Sequence, residues 1–289
     1  MNERQVPLIA DLRYPLESRD PSGERWSQWS SLSMIELSAL DTYHFVKSML
    51  PRPAQKILEI GCGNGYLSLE LARDGHEVIG LDKSPEIIEV AERSKMAHPA
   101  PPTFGKLTYV CEDFHTWSAG ECHFDVVIFN RTLHHMHGLQ NALTKVKRLL
   151  TDNGLLVCQD YAYDRLNDQT ASWMYTMQRL LFLSHLSEED LMGRENEAQS
   201  IEAFREAWFQ KADQRLNRWE EIAQALQAAF SQHVLSWVPY LFIYIGNSIH
   251  RAESEQERAL LTFLRDTEQF LIEKGYIQAV GFRYVGSPQ

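Results

Sequence analysis

Cysteine is scarce in this chain. Cys62, Cys111, Cys122 and Cys158 are the only four in 289 residues, and no two form a CxxC pair. That spacing supports neither a disulfide framework nor a cysteine-based metal site, and the expectation is reduced thiols in a cytoplasmic protein. Long hydrophobic runs are missing too. Val238 to Ile245 is interrupted by Pro239 and falls well short of the roughly 18 residues that cross a membrane. Met1 to Asp20 is polar and charged, without the apolar core of a secretory signal. Positive charge is in deficit, with 28 Lys and Arg against 39 Asp and Glu, for a formal net charge of −11. An acidic surface repels phosphate backbones, so no nucleic acid partner is expected. Internal repeats and low-complexity tracts are absent as well.

What remains is ordinary globular material, 44% hydrophobic and 23% charged, enough to bury a core. Residues 1–50 read as an N-terminal arm followed by a helix from Met34 to Leu50, forming a substrate-side lid with Trp26 and Trp29. From residue 51 to 163, short apolar runs alternate with helical spacing. Strands are expected at Lys56–Ile60, Glu77–Leu81, Leu107–Cys111, Phe124–Phe129 and Gly154–Gln159. Helices are expected at Tyr66–Arg73, at Pro85–Lys95 with Ser84 as its cap, and at Gln140–Leu150. That alternation predicts an α/β, Rossmann-like, doubly wound and mostly parallel sheet. Residues 164–232 show helical spacing only, at Arg165–Leu183, Gln199–Lys211 and Arg215–Phe230, and read as an α-helical cap insertion. Residues 233–289 complete the sheet, with a strand over Leu235–Tyr244, a helix over Glu253–Lys274 and a last strand over Tyr276–Val285.

The segment Ile57-Leu58-Glu59-Ile60-Gly61-Cys62-Gly63-Asn64-Gly65 carries the chemistry. A strand runs into a glycine-rich turn and then a helix. Glycines permit positive φ and close approach of a ligand, and the helix start offers free N–H groups. A dinucleotide would fit that much, and a Rossmann oxidoreductase stays open on it. The spacing, however, is GxGxG, with Tyr66 where a GxGxxG fingerprint needs a third small residue, and Glu59 precedes the turn. The next strand ends in Asp82, placed to accept hydrogen bonds from both ribose hydroxyls.

This segment resembles the first motif of the class I S-adenosylmethionine (SAM)-dependent methyltransferases, of small-molecule type. Val78-Ile79-Gly80-Leu81-Asp82-Lys83-Ser84-Pro85 is similar to that family's second strand, and Cys111-Glu112-Asp113-Phe114 to its third-strand end. Phe124 to Asn130 resembles the fourth strand, and Leu149 to Val157 the fifth with the turn before it. The resemblance implies a seven-stranded sheet and a cofactor site for SAM and its product S-adenosylhomocysteine. That site would comprise Glu59, Gly61, Cys62, Gly63, Asn64, Gly65, Asp82, Lys83, Asp113, Phe114, Asn130 and Arg131. Asp82 would take the ribose, Asp113 the adenine amino group, and Phe114 would flank the ring. It also implies in-line transfer of a methyl group to an O, N or C atom of a small acceptor.

Asn130 to His137 follows the fourth strand, where acceptor and methyl group would meet. His134 and His135 are candidate bases there, against the plainer reading that they cap a turn. Three histidines in four residues lack the partner cysteines or carboxylates of a metal site, so no metal is expected. Tyr161 and Tyr163 follow the fifth strand and are candidates for binding the acceptor. The aromatic content of the cap, with Trp173, Trp208 and Trp219, favours an aromatic or apolar acceptor. No Asn/Asp-Pro-Pro-Tyr/Phe run and no Pro-Cys nucleophile occurs, so the nucleic-acid-modifying branches find no match. A non-catalytic SAM-binding partner subunit stays open, as does an oligomer.

Overall fold

The computed structural model describes residues 32–50, 52–53, 55–97, 102–120, 123–187, 197–213, 216–247, 249 and 255–289. Trp26 and Trp29 of the expected lid lie outside them. A helical run opens the described chain. It comprises Leu32–Met34, a π-helical stretch Ile35–Leu40, and helix α1, Asp41–Met49.

Strand β1, Lys56–Ile60, then leads through the glycine turn into α2, Tyr66–Arg73. The alternation continues through β2 (Glu77–Asp82), α3 (Pro85–Ala97), β3 (Lys106–Cys111), β4 (Phe124–Asn130), α4 (Leu139–Leu149) and β5 (Leu150–Tyr161). Three helices follow, α5 (Asp168–Leu183), α6 (Glu197–Asp213) and α7 (Trp219–Ala229), then β6 (Phe230–Val238). Helices α8 (Leu241–Asn247) and α9 (Glu255–Glu273) precede the last strand, β7 (Gly281–Pro288). The seven strands form one sheet in the order β3-β2-β1-β4-β5-β7-β6. All neighbours from β3 to β5 pair in parallel, and β7 runs antiparallel to both β5 and β6. The strand order reverses between β1 and β4, the switch point where open α/β sheets leave a crevice at their carboxyl ends.

The period-2 alternation of each strand decides which face a side chain joins. Leu58, Phe129 and Leu156 pack on one face, beneath Leu143 and Val146 of α4 and Ile222 and Leu226 of α7. Ile57, Val78 and Ile128 pack on the other, beneath Leu67 and Leu71 of α2, Ala91 of α3, and Tyr43 and Val46 of α1. In α4 the buried set Leu139, Ala142, Leu143, Val146 and Leu149 falls at the helical spacing that makes one apolar stripe. Helix α3 starts as expected, with the Ser84 hydroxyl accepting from the Ile87 amide at 3.4 Å and Pro85 in the first position. A third cluster lies apart from both faces and joins Met34, Tyr161, Tyr163, Met174, Leu181, Tyr240, Leu261 and Leu264.

Several sequence expectations change, among them the last strand, which starts at Gly281 rather than Tyr276. The last helix of the 164–232 cap, α7, packs against α4 and shares the core of the first sheet face, so it belongs to the sheet layer. The strand expected over Leu235–Tyr244 ends instead at Val238, and Leu241–Asn247 is helical. Pro239 has no N–H to donate and stops the ladder, and the next three amides find another acceptor, described below.

Candidate active site

All three glycines of the turn have positive φ: Gly61 at 70°, Gly63 at 55° and Gly65 at 75°. Space restricts two of them further. A Cβ on Gly61 would lie 2.4 Å from the Thr132 hydroxyl, and one on Gly65 would lie 2.3 Å from that of Tyr109. The Tyr109 hydroxyl in turn donates to the Gly65 carbonyl at 2.8 Å. Leu81 at the end of β2 accepts from the Gly61 and Cys62 amides at 2.7 and 3.0 Å. Asp82 fastens the turn from the same side. One carboxylate oxygen accepts from the Gly63 amide and the other from the Ser84 amide, both at 3.0 Å. Each oxygen retains a lone pair for a further donor.

Glu59, Gly61, Cys62, Gly63, Asn64, Asn130 and Arg131 line a cavity of about 100 Å³ at this strand end, with Ala39 of the N-terminal helical run forming part of its wall. Among the described residues, Asn64 Nδ2, Asn130 Oδ1 and Arg131 Nε of this lining are buried without a hydrogen-bond partner. Buried polar atoms are normally satisfied, and three orphans around one hollow mark a place for a polar ligand. Arg131 also has φ of 57°, a conformation that costs a side-chain-bearing residue about 1–2 kcal/mol. Its terminal nitrogen donates to Ser38 of the π-helical stretch at 2.6 Å. Glu59 is 1% exposed and accepts from the Ser68 hydroxyl at 2.5 Å. Burial raises its carboxyl to about 8, against the lowering effect of Ser68 and with a further raising effect from Asp82. A larger hollow of about 810 Å³ runs along α9, but it contains none of the orphaned polar atoms and shares no lining residue with this one.

The expected adenine end is less enclosed. Lys83 and Asp113 are exposed, and Asp113 accepts from the His115 amide at 2.7 Å. Phe114 is 5% exposed and packs edge-on against Phe129, with Lys145 Nζ 4.6 Å from its ring centroid.

The two histidines differ. His134 is 2% exposed and Asp160, at the end of β5, is fully buried. His134 Nδ1 lies 2.5 Å from one Asp160 oxygen, while the His134 amide donates to the other at 3.2 Å. A carboxylate only accepts, so Nδ1 carries the proton and Nε2 is left as the basic nitrogen. His135 is exposed, with its ring 4.1 Å from that of His134. Desolvation, and then His134, push its pKa below the ordinary value, and among the described residues it has no carboxylate hydrogen bond. Tyr161 sits 4.4 Å from His134 on one side and stacks on Tyr240 at 4.7 Å and 13° on the other. The Arg131 guanidinium lies 5.2 Å from the Tyr240 ring centroid. Rings therefore run continuously from His134 to an arginine of the cavity. Burial pushes the Tyr161 and Tyr240 hydroxyls above their ordinary range, so both stay protonated. Tyr163 is buried, its hydroxyl 3.5 Å from the Leu216 carbonyl, and its own carbonyl accepts from the Trp208 indole at 3.1 Å.

A family model described as a methyltransferase domain matches residues 35–199. The chain belongs to that family. The matched region runs from the π-helical stretch through β5 and α5, and so contains the glycine turn, Asp82, Arg131 and His134. Among curated proteins, a ubiquinone biosynthesis O-methyltransferase of Cereibacter sphaeroides (strain ATCC 17025 / ATH 2.4.3) is 37% identical over 109 residues, covering 38% of this chain and 42% of that protein. One of Coxiella burnetii (strain Dugway 5J108-111) is 22% identical over 158 residues, covering 55% and 63%. The chain thus matches about half the length of these relatives. A putative SAM-dependent methyltransferase from Listeria monocytogenes superposes with a TM-score of 0.51 at 16% identity, covering 87% of this chain and all of that one. The PH0226 protein of Pyrococcus horikoshii gives 0.50 at 16% identity, covering 92% and 94%. These likenesses establish the class I methyltransferase fold, and the oxidoreductase and non-catalytic alternatives gain no support.

Reading the sequence did not single out Asp160, Ser38 or Tyr240 as site residues. The register of β4 and β5 pairs Asn130 with Gln159, which sets Asp160 beside the 131–134 loop, a neighbour that only the folded sheet reveals. No signal marked Tyr240 either, since it comes from beyond β6. Among the described residues, no group of three or more His, Cys, Asp or Glu side chains is arranged to hold a metal ion. No described helix is long and apolar enough to cross a membrane.

Proposed function

We propose that this methyltransferase transfers the methyl group of SAM to a hydroxyl oxygen of a small aromatic or apolar acceptor. The His134–Asp160 pair carries the reading. A hydroxyl must lose its proton as its oxygen attacks, and a buried imidazole oriented through Nδ1 by a carboxylate offers Nε2 for that proton.

The cavity suits the amino-acid end of SAM. Its orphaned atoms are two donors, Asn64 Nδ2 and Arg131 Nε, and one acceptor, Asn130 Oδ1, complementary to a carboxylate and an ammonium. A Cβ on Gly63 would meet no atom within 4 Å, so the missing side chain leaves a cradle open there. Asp82 would take the ribose hydroxyls and Asp113 the adenine amino group. Bound there, SAM supplies a sulfonium methyl that is already an activated electrophile. Arg131, Tyr240 and Tyr161 then form an apolar and cationic wall that excludes water and orients a flat acceptor beside His134. The protein need only align the oxygen and accept its proton. That the Cereibacter and Coxiella relatives are named O-methyltransferases supports a hydroxyl over an amine.

Calorimetry in EDTA should show SAM binding. Among hydroxylated aromatic compounds, matched amines and matched thiols, a hydroxyl compound should turn over. His134→Gln should retain SAM binding and lose about 10²- to 10⁴-fold in turnover, the usual worth of a positioned base. Full activity of His134→Gln, or methylation of amines alone, would overturn the reading.

A further inference from the structure

Glu268 is the most deeply buried carboxylate outside the site, with no measurable exposure. It stands on α9, far from the glycine turn and the histidines in the chain. One of its oxygens accepts from the Tyr240 and Leu241 amides, both at 2.9 Å, and the other from the Phe242 amide at 2.8 Å. Those are three successive N–H groups at the start of α8. No cation among the described residues pairs with it. A buried carboxyl held only by amides is a costly way to start a seven-residue helix when an exposed N-cap serves as well. What distinguishes the site is Tyr240. Its ring carries the stack on Tyr161, which touches His134, and bears the Arg131 guanidinium on its other contacts. At its far end, α8 is pinned as well: a Cβ on Gly246 would lie 2.4 Å from Leu261 of α9 and 2.7 Å from Met34.

We infer that Glu268 is a positioning residue for methyl transfer: by fixing the Tyr240 backbone it holds the stack that presents both His134 and Arg131 to the site. The inference rests on the reading of His134 as the base. It needs no contact between Glu268 and any substrate.

Glu268→Gln keeps the size of the side chain but turns an N–H₂ group toward the backbone amides. In this variant the His134 ring-proton resonances, which Tyr161 shifts by its ring current, should move. Turnover should fall by on the order of tenfold to a hundredfold, as small misplacements of a reacting pair do. SAM binding should weaken less than turnover, because the glycine turn and Asp82 keep their hold and only Arg131 loses support. Tyr240→Leu should reproduce both changes, and the double variant should add little to either single one, since both act through one contact. If Glu268→Gln does not fold, Glu268→Asp keeps the charge with a shorter reach and should move the same resonances by less. Unmoved His134 resonances in a folded Glu268 variant, or fully additive losses, would overturn the inference. Should no hydroxyl compound be methylated at all, the proposed function fails, and the resonances still decide whether Glu268 orders the stack.

Discussion

At the scale of single residues, Glu59 makes the sharpest demand. Its carboxyl is held up at about 8 by burial, against 4.5 in the unfolded chain. The folded protein therefore keeps this proton between those values while the unfolded chain loses it. Stability falls as pH rises from about 4.5 to 8, by up to about 1.4 kcal/mol per pH unit from this one group. Glu59→Gln should flatten that slope in thermal melts. The same proton bears on the cofactor. An ammonium brought into the cavity that Glu59 lines favours the ionised carboxylate. SAM binding at pH 7 should then release about one proton, read by calorimetry in buffers of different ionisation enthalpy. Equal release by wild type and Glu59→Gln would refute the linkage. The sequence made Glu59 visible through its place before the glycine turn, and made Asp82 visible as a strand-end acid. It did not separate His134 from His135, because the partner that separates them, Asp160, lies on another strand.

At the scale of elements, the glycine turn joins β1 to α2 through two different constraints. Gly65 combines positive φ with a Cβ path blocked by the Tyr109 hydroxyl, whereas Gly63 has positive φ and open space. Gly63→Ala should cost about 1–2 kcal/mol of stability, the penalty of a left-handed conformation. Its methyl would occupy the cradle, so SAM affinity should fall. Gly65→Ala adds the clash with Tyr109, which anchors the turn to β3, and should be the less stable of the two. Denaturant melts with SAM titrations would show it; equal stability of the two variants would contradict the geometry. The turn was legible because its constraints are local, and the same holds for the Ser84-Pro85 start of α3. The segment after Val238 was not. Apart from Pro239, Val238 to Ile245 is a short run of aliphatic and aromatic residues that suits a strand or a buried helix equally. Its fate is decided by Pro239 and by Glu268, a carboxylate 28 residues from Tyr240.

At the scale of the whole molecule, the buried residues fall into three clusters, two on the sheet faces and one apart from them. The two sheet faces are made by the alternating 51–163 region together with the 35–49 helical run, α7, β6 and β7, and they carry the glycine turn. The third cluster, over the strand ends, is composite: Met34 from the N-terminal run, Met174 and Leu181 from α5, Tyr240 and Phe242 around α8, and Leu261 and Leu264 from α9. The stretch read as one block, 164–232, thus contributes only part of a cluster drawn from distant stretches of chain, and its last helix packs on the sheet instead. Amphipathic spacing announces that a helix has a buried face but not which partner covers it. Helix α6, whose Phe204 and Trp208 pack against this cluster, offers the test of the expected cap. Trp208 fixes it, donating to the Tyr163 carbonyl and packing 5.0 Å from Tyr244, and Tyr244 in turn lies 6.2 Å from Tyr161. None of these contacts reaches the glycine turn or Asp82. If the cap selects the acceptor, Trp208→Ala should raise the acceptor KM about tenfold, roughly 1.4 kcal/mol, and leave the Kd for SAM unchanged. If α6 instead serves contact between copies of the chain, the same variant should alter sedimentation and leave KM alone. A parallel loss of SAM affinity would refute the division itself, since it would mean that cap and cofactor cradle fold as one site.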